Sequence, residues 1–255
     1  MKIHFHPPII AHRGASALAP ENTLAAFLKA KELGIQWVEF DVMLSASGEV
    51  VVIHDEDLNR TTNATGRVID YPYRFIKTLD AGSWFDRKYY QEKIPTLSQV
   101  LDFLSQEKMA ANIEIKALKG YEALLTKYVM DTVSQYEMPF FISSFSRKVL
   151  EEVRTHHADI PIGYLMDTWD TDWEKFCDHI SARLVDVNHE ILTKESIQEI
   201  KSTKRQLLAY TVDDPMRAQE LLSLGVDAVF SNCHLDFIQF FQAPYKEGTK
   251  YESLR

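Results

Sequence analysis

The fold class this sequence predicts is a (β/α)₈ barrel, and three observations carry the prediction. Eight short apolar stretches, rich in β-branched and aromatic residues, alternate with stretches of helical periodicity between residues 9 and 231. The chain has 255 residues, within the range of one such barrel. No Gly-rich dinucleotide loop follows the first strand, which weighs against the runner-up, a doubly wound open sheet.

The elements follow in order. Ile9-Ile10-Ala11 is a short buried strand running into His12-Arg13-Gly14, after Pro7-Pro8 has ended any preceding structure. Pro20-Glu21-Asn22-Thr23 opens a helix that Asn22 or Thr23 can cap, with Leu24, Phe27, Leu28 and Leu33 at helical spacing and Gly34 as the stop. Trp37–Leu44 is the second strand. After residues 45–49 comes a return arm, Val50–Ile53, leading to His54-Asp55. So short a link holds no crossover helix, which takes about a dozen residues, so the two arms pair antiparallel. A turn centred on Ser47-Gly48 sets His54 opposite Asp41.

Residues 56–95 mix polar and aromatic side chains without a period, and read as an inserted subdomain or long loop within a single domain spanning 1–255. A helix then runs from Pro95-Thr96 to Gln106, a strand over Asn112–Lys116 and a helix over Tyr121–Tyr136. Strand Phe140–Phe145, helix Arg147–His157, strand Ile162–Met166 and helix Trp173–His179 follow. Strand Leu184–Asn188, helix Lys194–Ser202, strand Gln206–Val212, a helix opened by Asp214-Pro215 and ended by Gly225, and strand Ala228–Ser231 complete the alternation.

Composition is that of an ordinary globular protein, 45% hydrophobic and 25% charged. The formal net charge of -9 argues against nucleic acid or an anionic membrane as partner. Cys177 and Cys233 fit neither a CxxC nor a zinc pattern, and free thiols suit a reducing, cytoplasmic setting. The opening residues lack a signal-peptide core, and no apolar run is long enough to span or anchor in a bilayer. The sequence leaves monomer and homodimer equally open.

The chemistry gathers at the strand ends, where barrels place their active sites. Glu39 and Asp41 are two apart on one strand and point to one side. Two carboxylates so placed repel unless a proton or cation lies between them, and an all-oxygen donor set suits Mg²⁺ or Ca²⁺. His12 and Arg13 end the first strand, Glu114 and Lys116 the third, and Ser143 and Ser144 the fourth. Glu39, Asp41 and Glu114 are therefore candidate ligands for one divalent cation. Arg13 and Lys116 are candidate phosphate contacts. His12 and His54 are a candidate general base and general acid. The alternative is a structural ion network, but buried charges rarely cluster without a ligand.

His12-Arg13-Gly14, Pro20-Glu21-Asn22-Thr23, Glu39-x-Asp41, His54-Asp55 and Ile113-Glu114-Ile115-Lys116 together resemble the glycerophosphodiester phosphodiesterase family, over nearly the whole chain. Gly82-Ser83-Trp84, Ser143-Ser144-Phe145 and Val187-Asn188-His189 resemble its cytoplasmic bacterial members. The resemblance implies a TIM barrel with a small insertion after the hairpin. It implies metal-assisted hydrolysis of glycerophosphodiesters to sn-glycerol 3-phosphate and an alcohol. Under it, His12 and His54 are catalytic, Glu39, Asp41 and Glu114 hold the metal, and Arg13 and Lys116 contact phosphate, with Glu21 supporting them. Two departures stand out. Tyr210-Thr211-Val212 replaces a motif that often carries Trp, leaving Tyr210 as the candidate aromatic wall beside glycerol. Ser231-Asn232-Cys233-His234 replaces Thr-Asp-x-Pro. His4, His6, His156, His157 and His179 read as solvated, and His189 stays open between surface and substrate contact. Phospholipase D-like action on lysophospholipids and a non-catalytic glycerophosphodiester-binding protein are the competing functional readings.

Overall fold

The computed structural model describes residues 2–242. Its sheet has nine strands. β1 (Ile9–His12), β2 (Trp37–Leu44), β4 (Ala110–Ile115), β5 (Phe140–Ser144), β6 (Ile162–Met166), β7 (Leu184–Asn188), β8 (Gln206–Tyr210) and β9 (Ala228–Ser231) are parallel. β1 pairs with both β2 and β9, so these eight close into a barrel. β3 (Val50–Val52) is the antiparallel extra on β2.

The hairpin forms as the sequence predicts, but one residue out of the expected register. Val42 faces Val52, and the Ile53 amide donates to the Asp41 carbonyl at 3.0 Å, so Ile53 rather than His54 lies opposite Asp41. The turn centres on Ser47, because Gly48 N–H closes on the Ser45 carbonyl at 3.0 Å and Ser45 N–H on that of Glu49 at 2.9 Å.

The helices lie between strands: α1 (Leu24–Glu32), α3 (Leu97–Gln106), α4 (Glu122–Val133), α5 (Arg147–His156), α6 (Trp173–His179), α7 (Lys194–Ser202) and α8 (Pro215–Leu224). Thr23, not Asn22, caps α1 by accepting from the Ala26 amide. Thr96 and Gln99 form a reciprocal capping box on α3, which is why that helix starts where the sequence says it should. α9 (Leu235–Gln242) was not predicted; Phe237 and Ile238 bury its inner side against the main core.

Apolar residues form three layers. One fills the space between helices and barrel wall, with Phe27, Phe40, Leu101, Leu125, Leu150 and Trp173 among its members. A second closes the barrel base, where Ile10, Trp37, Phe141, Leu184, Leu208 and Phe230 point inward. The N-terminal segment seals that end: Trp37 Nε1 donates to the His4 carbonyl at 3.1 Å, and Gln206 bonds both backbone groups of Ile3 at 2.7 and 2.8 Å. The third layer joins the outer face of the hairpin (Met43, Val51, Ile53) to residues 56–95 through Leu58, Val68, Ile76, Leu79 and Ile94. That segment holds one short helix, α2 (Tyr73–Ile76), and two 3₁₀ turns. Among the described residues, no helix is long and apolar enough to cross a membrane.

Candidate active site

His12 is the last residue of β1, and Arg13 and Gly14 continue in left-handed conformation at φ 55° and 79°. Gly14 is required there, because a Cβ would sit 2.6 Å from that of Ala26 on α1. Arg13 tolerates the same region because its chain is tied on every side. Its amide donates to Glu39 Oε2 at 2.9 Å, its Nη1 to Glu21 Oε1 at 2.9 Å, and its Nε lies 3.4 Å from Asp41 Oδ2.

Parallel register places Glu39 beside His12 on one neighbour and beside Asn112 on the other, and Asp41 beside Glu114. One ligand atom from each of Glu39, Asp41 and Glu114 lies within 4.8 Å of the others. Asp41 is the deepest, 1% exposed, and does not itself line the cavity above it. That cavity, ≈ 210 Å³, is lined by His12, Arg13, His54, Glu114, Lys116 and Tyr210, with Glu39 in its floor. All of the predicted site residues except Asp41 thus share one cleft.

Electrostatics follow from burial and crowding. Burial, then the charges of Asp41 and Glu114, push the Glu39 carboxyl well above its usual range. Burial also raises Glu114, with Asp41 adding to it and Lys116 opposing. Burial acts the same way on Asp41, but Lys116 and Arg13 outweigh it and hold that carboxyl low. Lys116 does not point freely into the cavity: its ammonium bridges Glu114 Oε1 at 2.5 Å and Asp41 Oδ1 at 2.8 Å.

Both imidazoles are oriented through Nδ1. His12 Nδ1 lies 2.8 Å from Asn232 Oδ1, whose amide is fixed because Asn232 Nδ2 donates to Asp213 Oδ2 at 2.6 Å. An amide oxygen only accepts, so Nδ1 carries the hydrogen and Nε2 is free as a base. Burial and the Arg13 charge lower this histidine to about 4. His54 Nδ1 likewise donates to Asp55 Oδ1, at 2.7 Å. Burial lowers His54 too, while Asp41 and Asp55 oppose that shift.

Other predicted residues lie elsewhere. Ser143 accepts from Asn112 Nδ2 at 2.8 Å, and Ser144 donates to the Ile115 carbonyl at 2.8 Å, so both are committed to the barrel wall. His189 does not line the cavity. Several contributors carried no motif signal of their own. Asn22, left-handed at φ 59°, donates through Nδ2 to Asp41 Oδ2 at 2.8 Å. Asn232 and Asp213 anchor His12, and Arg60 bonds both Asp55 and Glu21. Asn22 and Asn232 sit inside quoted motifs, but nothing in sequence spacing shows which side chain each one meets.

Asp186, on β7, is fully buried and neither of its oxygens has a hydrogen-bond partner. It lies against Gly163, where a Cβ would come within 2.7 Å of Asp186 Oδ2. Burial, reinforced by the Glu114 charge, raises this carboxyl well above its usual range. The folded protein then keeps a proton that the unfolded chain releases near pH 4, so Asp186 makes stability fall as pH rises above about 4. Asp186→Asn is expected to flatten that slope and to raise Tm at alkaline pH, by about 2–4 °C per kcal/mol recovered. Thermal melts of the two proteins across the pH range check this.

Fold and rim define the class first: the protein is a (β/α)₈-barrel enzyme with its acids, cations and imidazoles at the catalytic end of the strands. The sequence profile of the glycerophosphoryl diester phosphodiesterase family matches residues 12–234, and the chain belongs to that family. It is 34% identical over 228 residues to a glycerophosphodiester phosphodiesterase of Caldanaerobacter subterraneus subsp. tengcongensis, covering 88% of this chain and 93% of the relative. A Bacillus subtilis glycerophosphodiester phosphodiesterase is 30% identical over 249 residues, covering 88% and 82%. Among solved structures, an Oleispira antarctica phosphodiesterase in complex with the product sn-glycerol-3-phosphate superposes with a TM-score of 0.88 at 34% identity, covering 91% and 96% of the two chains.

Proposed function

We propose that this enzyme hydrolyses glycerophosphodiesters, deacylated phospholipids such as glycerophosphocholine and glycerophosphoethanolamine, to sn-glycerol 3-phosphate and the free alcohol. The observation that carries the reading is the convergence of two Nδ1-anchored imidazoles, two carboxylates and two cationic side chains on one cavity of ≈ 210 Å³, with the Asp41 carboxylate clustered beneath it. The product bound to the Oleispira antarctica relative supports it.

Glu39, Asp41 and Glu114 fit one divalent cation, Mg²⁺ or Ca²⁺. The donors are all carboxylate oxygens, and Glu39 Oε1 is buried with no hydrogen-bond partner. A bound cation would stabilise charge growing on the phosphoryl oxygens. Arg13 and Lys116 put positive charge on the same rim and hold the phosphate in place for in-line displacement. His12, backed by an uncharged amide and neutral at pH 7, takes a proton through Nε2 from the water that attacks phosphorus. His54, held through Nδ1 by the Asp55 carboxylate, gives a proton to the leaving alcohol. Tyr210, edge-on to Phe145 at 5.9 Å, forms an aromatic wall for the glycerol. Residues 56–95 serve as an inserted subdomain packed on the hairpin. A cytoplasmic location agrees with two buried, unpaired thiols, Cys177 and Cys233.

The test is release of sn-glycerol 3-phosphate from glycerophosphocholine and glycerophosphoethanolamine with Mg²⁺, with Ca²⁺ and with EDTA. Metal-dependent release is expected. Release from lysophosphatidylcholine alone would replace this reading with the lysophospholipase D one, and tight product binding without turnover would replace it with a binding protein.

A further inference from the structure

We propose that Arg60 is a positioning residue that aims both halves of the reaction centre, His54 through Asp55 and Arg13 through Glu21. The inference rests on the hydrolytic reading above and assigns a task to the segment that follows the hairpin.

One guanidinium makes four hydrogen bonds to two carboxylates. Nε donates to Asp55 Oδ2 at 2.7 Å and Nη2 to Asp55 Oδ1 at 2.9 Å. Nη1 donates to Glu21 Oε2 at 2.6 Å and Nη2 to Glu21 Oε1 at 2.8 Å. The inner oxygen of each acid is shared with a residue of the cavity. Asp55 Oδ1 also accepts from His54 Nδ1 at 2.7 Å, and Glu21 Oε1 from Arg13 Nη1 at 2.9 Å. A single planar fork therefore sets the rotation of both carboxylates, and through them the ring plane of His54 and the direction of the Arg13 guanidinium. A lysine ammonium has no equivalent geometry.

Arg60 is presented from a fixed turn. Leu58 is fully buried and Thr61 6% exposed, and Leu58 N–H bonds the Gly66 carbonyl at 2.9 Å. The Arg60 side chain itself is 43% exposed. An exposed ion pair of ordinary kind adds little to stability. What sets this one apart is that both of its acids have their second partner in the cleft. Without Arg60, Asp55 and Glu21 would repel each other and turn outward, releasing His54 and Arg13.

The experiment compares wild type, Arg60→Ala and Arg60→Lys on glycerophosphocholine, with ¹⁵N-histidine NMR on the same proteins. Arg60→Ala is expected to lose kcat by about 10- to 100-fold, with a smaller change in KM. Arg60→Lys should not restore it. Added methylguanidinium should recover part of the Arg60→Ala loss, and methylammonium should not. In the spectra, wild-type His54 should show the Nδ1–H tautomer, and Arg60→Ala should lose it. An unchanged kcat in Arg60→Ala, or an unchanged His54 tautomer, overturns the proposal. The tautomer is read without turnover, so an inert wild type would count against the hydrolytic reading and leave the Arg60 result to stand or fall separately.

Discussion

In the His12→Ala variant, kcat for sn-glycerol 3-phosphate release is expected to fall by about 10²- to 10⁴-fold, the usual worth of a positioned general base. The ring is pre-aimed: Asn232 holds Nδ1, and Asp213 and Ser16 hold Asn232. It is also ready in protonation, because burial and Arg13 lower it to about 4, leaving Nε2 unprotonated at neutral pH. Wild-type kcat/KM should therefore hold well below the pH at which an ordinary histidine titrates. Folding stability carries the same mark. The unfolded chain takes up a proton on His12 near pH 6.5 and the folded protein only near 4, so between these values acid favours unfolding. His12→Ala should remove that portion of acid sensitivity while removing turnover. Steady-state kinetics and acid denaturation of the two proteins check both halves. Turnover close to wild type would move the base to another group.

The second large effect is expected from Glu39→Gln. Glu39 Oε2 already accepts from the Arg13 amide at 2.9 Å, a bond that the glutamine oxygen keeps. The other oxygen, Oε1, is buried and has no donor; glutamine puts an NH₂ group there, which cannot ligate a cation. The variant should fold, lose turnover by about 10²- to 10³-fold, and fail to respond to metal. Mg²⁺ or Ca²⁺ should raise the wild-type Tm, since a ligand at 100 times its Kd adds about 2.7 kcal/mol to stability. The Glu39→Gln melt should not move. An equal Tm rise in both proteins would place the cation elsewhere.

Much of this site was legible because strand periodicity is strict. Glu39 and Asp41 share a side by spacing alone, and parallel pairing with β4 brings Glu114 beside them. His12 and Lys116 were found at strand ends, where a barrel needs its polar groups. What sequence reading missed depends on contacts between distant segments. Asn232 meets His12 across 220 positions. Asn22 and Thr23 were both open as the cap of the first helix; Thr23 takes that role, and that Asn22 turns to Asp41 is not visible in spacing. Lys116 also spans two carboxylates, a pairing that strand spacing does not show. The hairpin slipped by one residue because turn geometry at Ser47, invisible to hydrophobic pattern, decides register.

The seam where the barrel closes has a consequence for how the enzyme is made. β1 leaves the ribosome first among the strands and waits for β9, its neighbour in the finished sheet, and the orienting partner of His12 comes one residue after β9 ends. Nascent or prematurely terminated chains that lack this last stretch have every proposed metal ligand and both histidines, but no group to set the tautomer of the first. Such chains are therefore expected to lack the pre-aimed base, whatever else of the site they have formed.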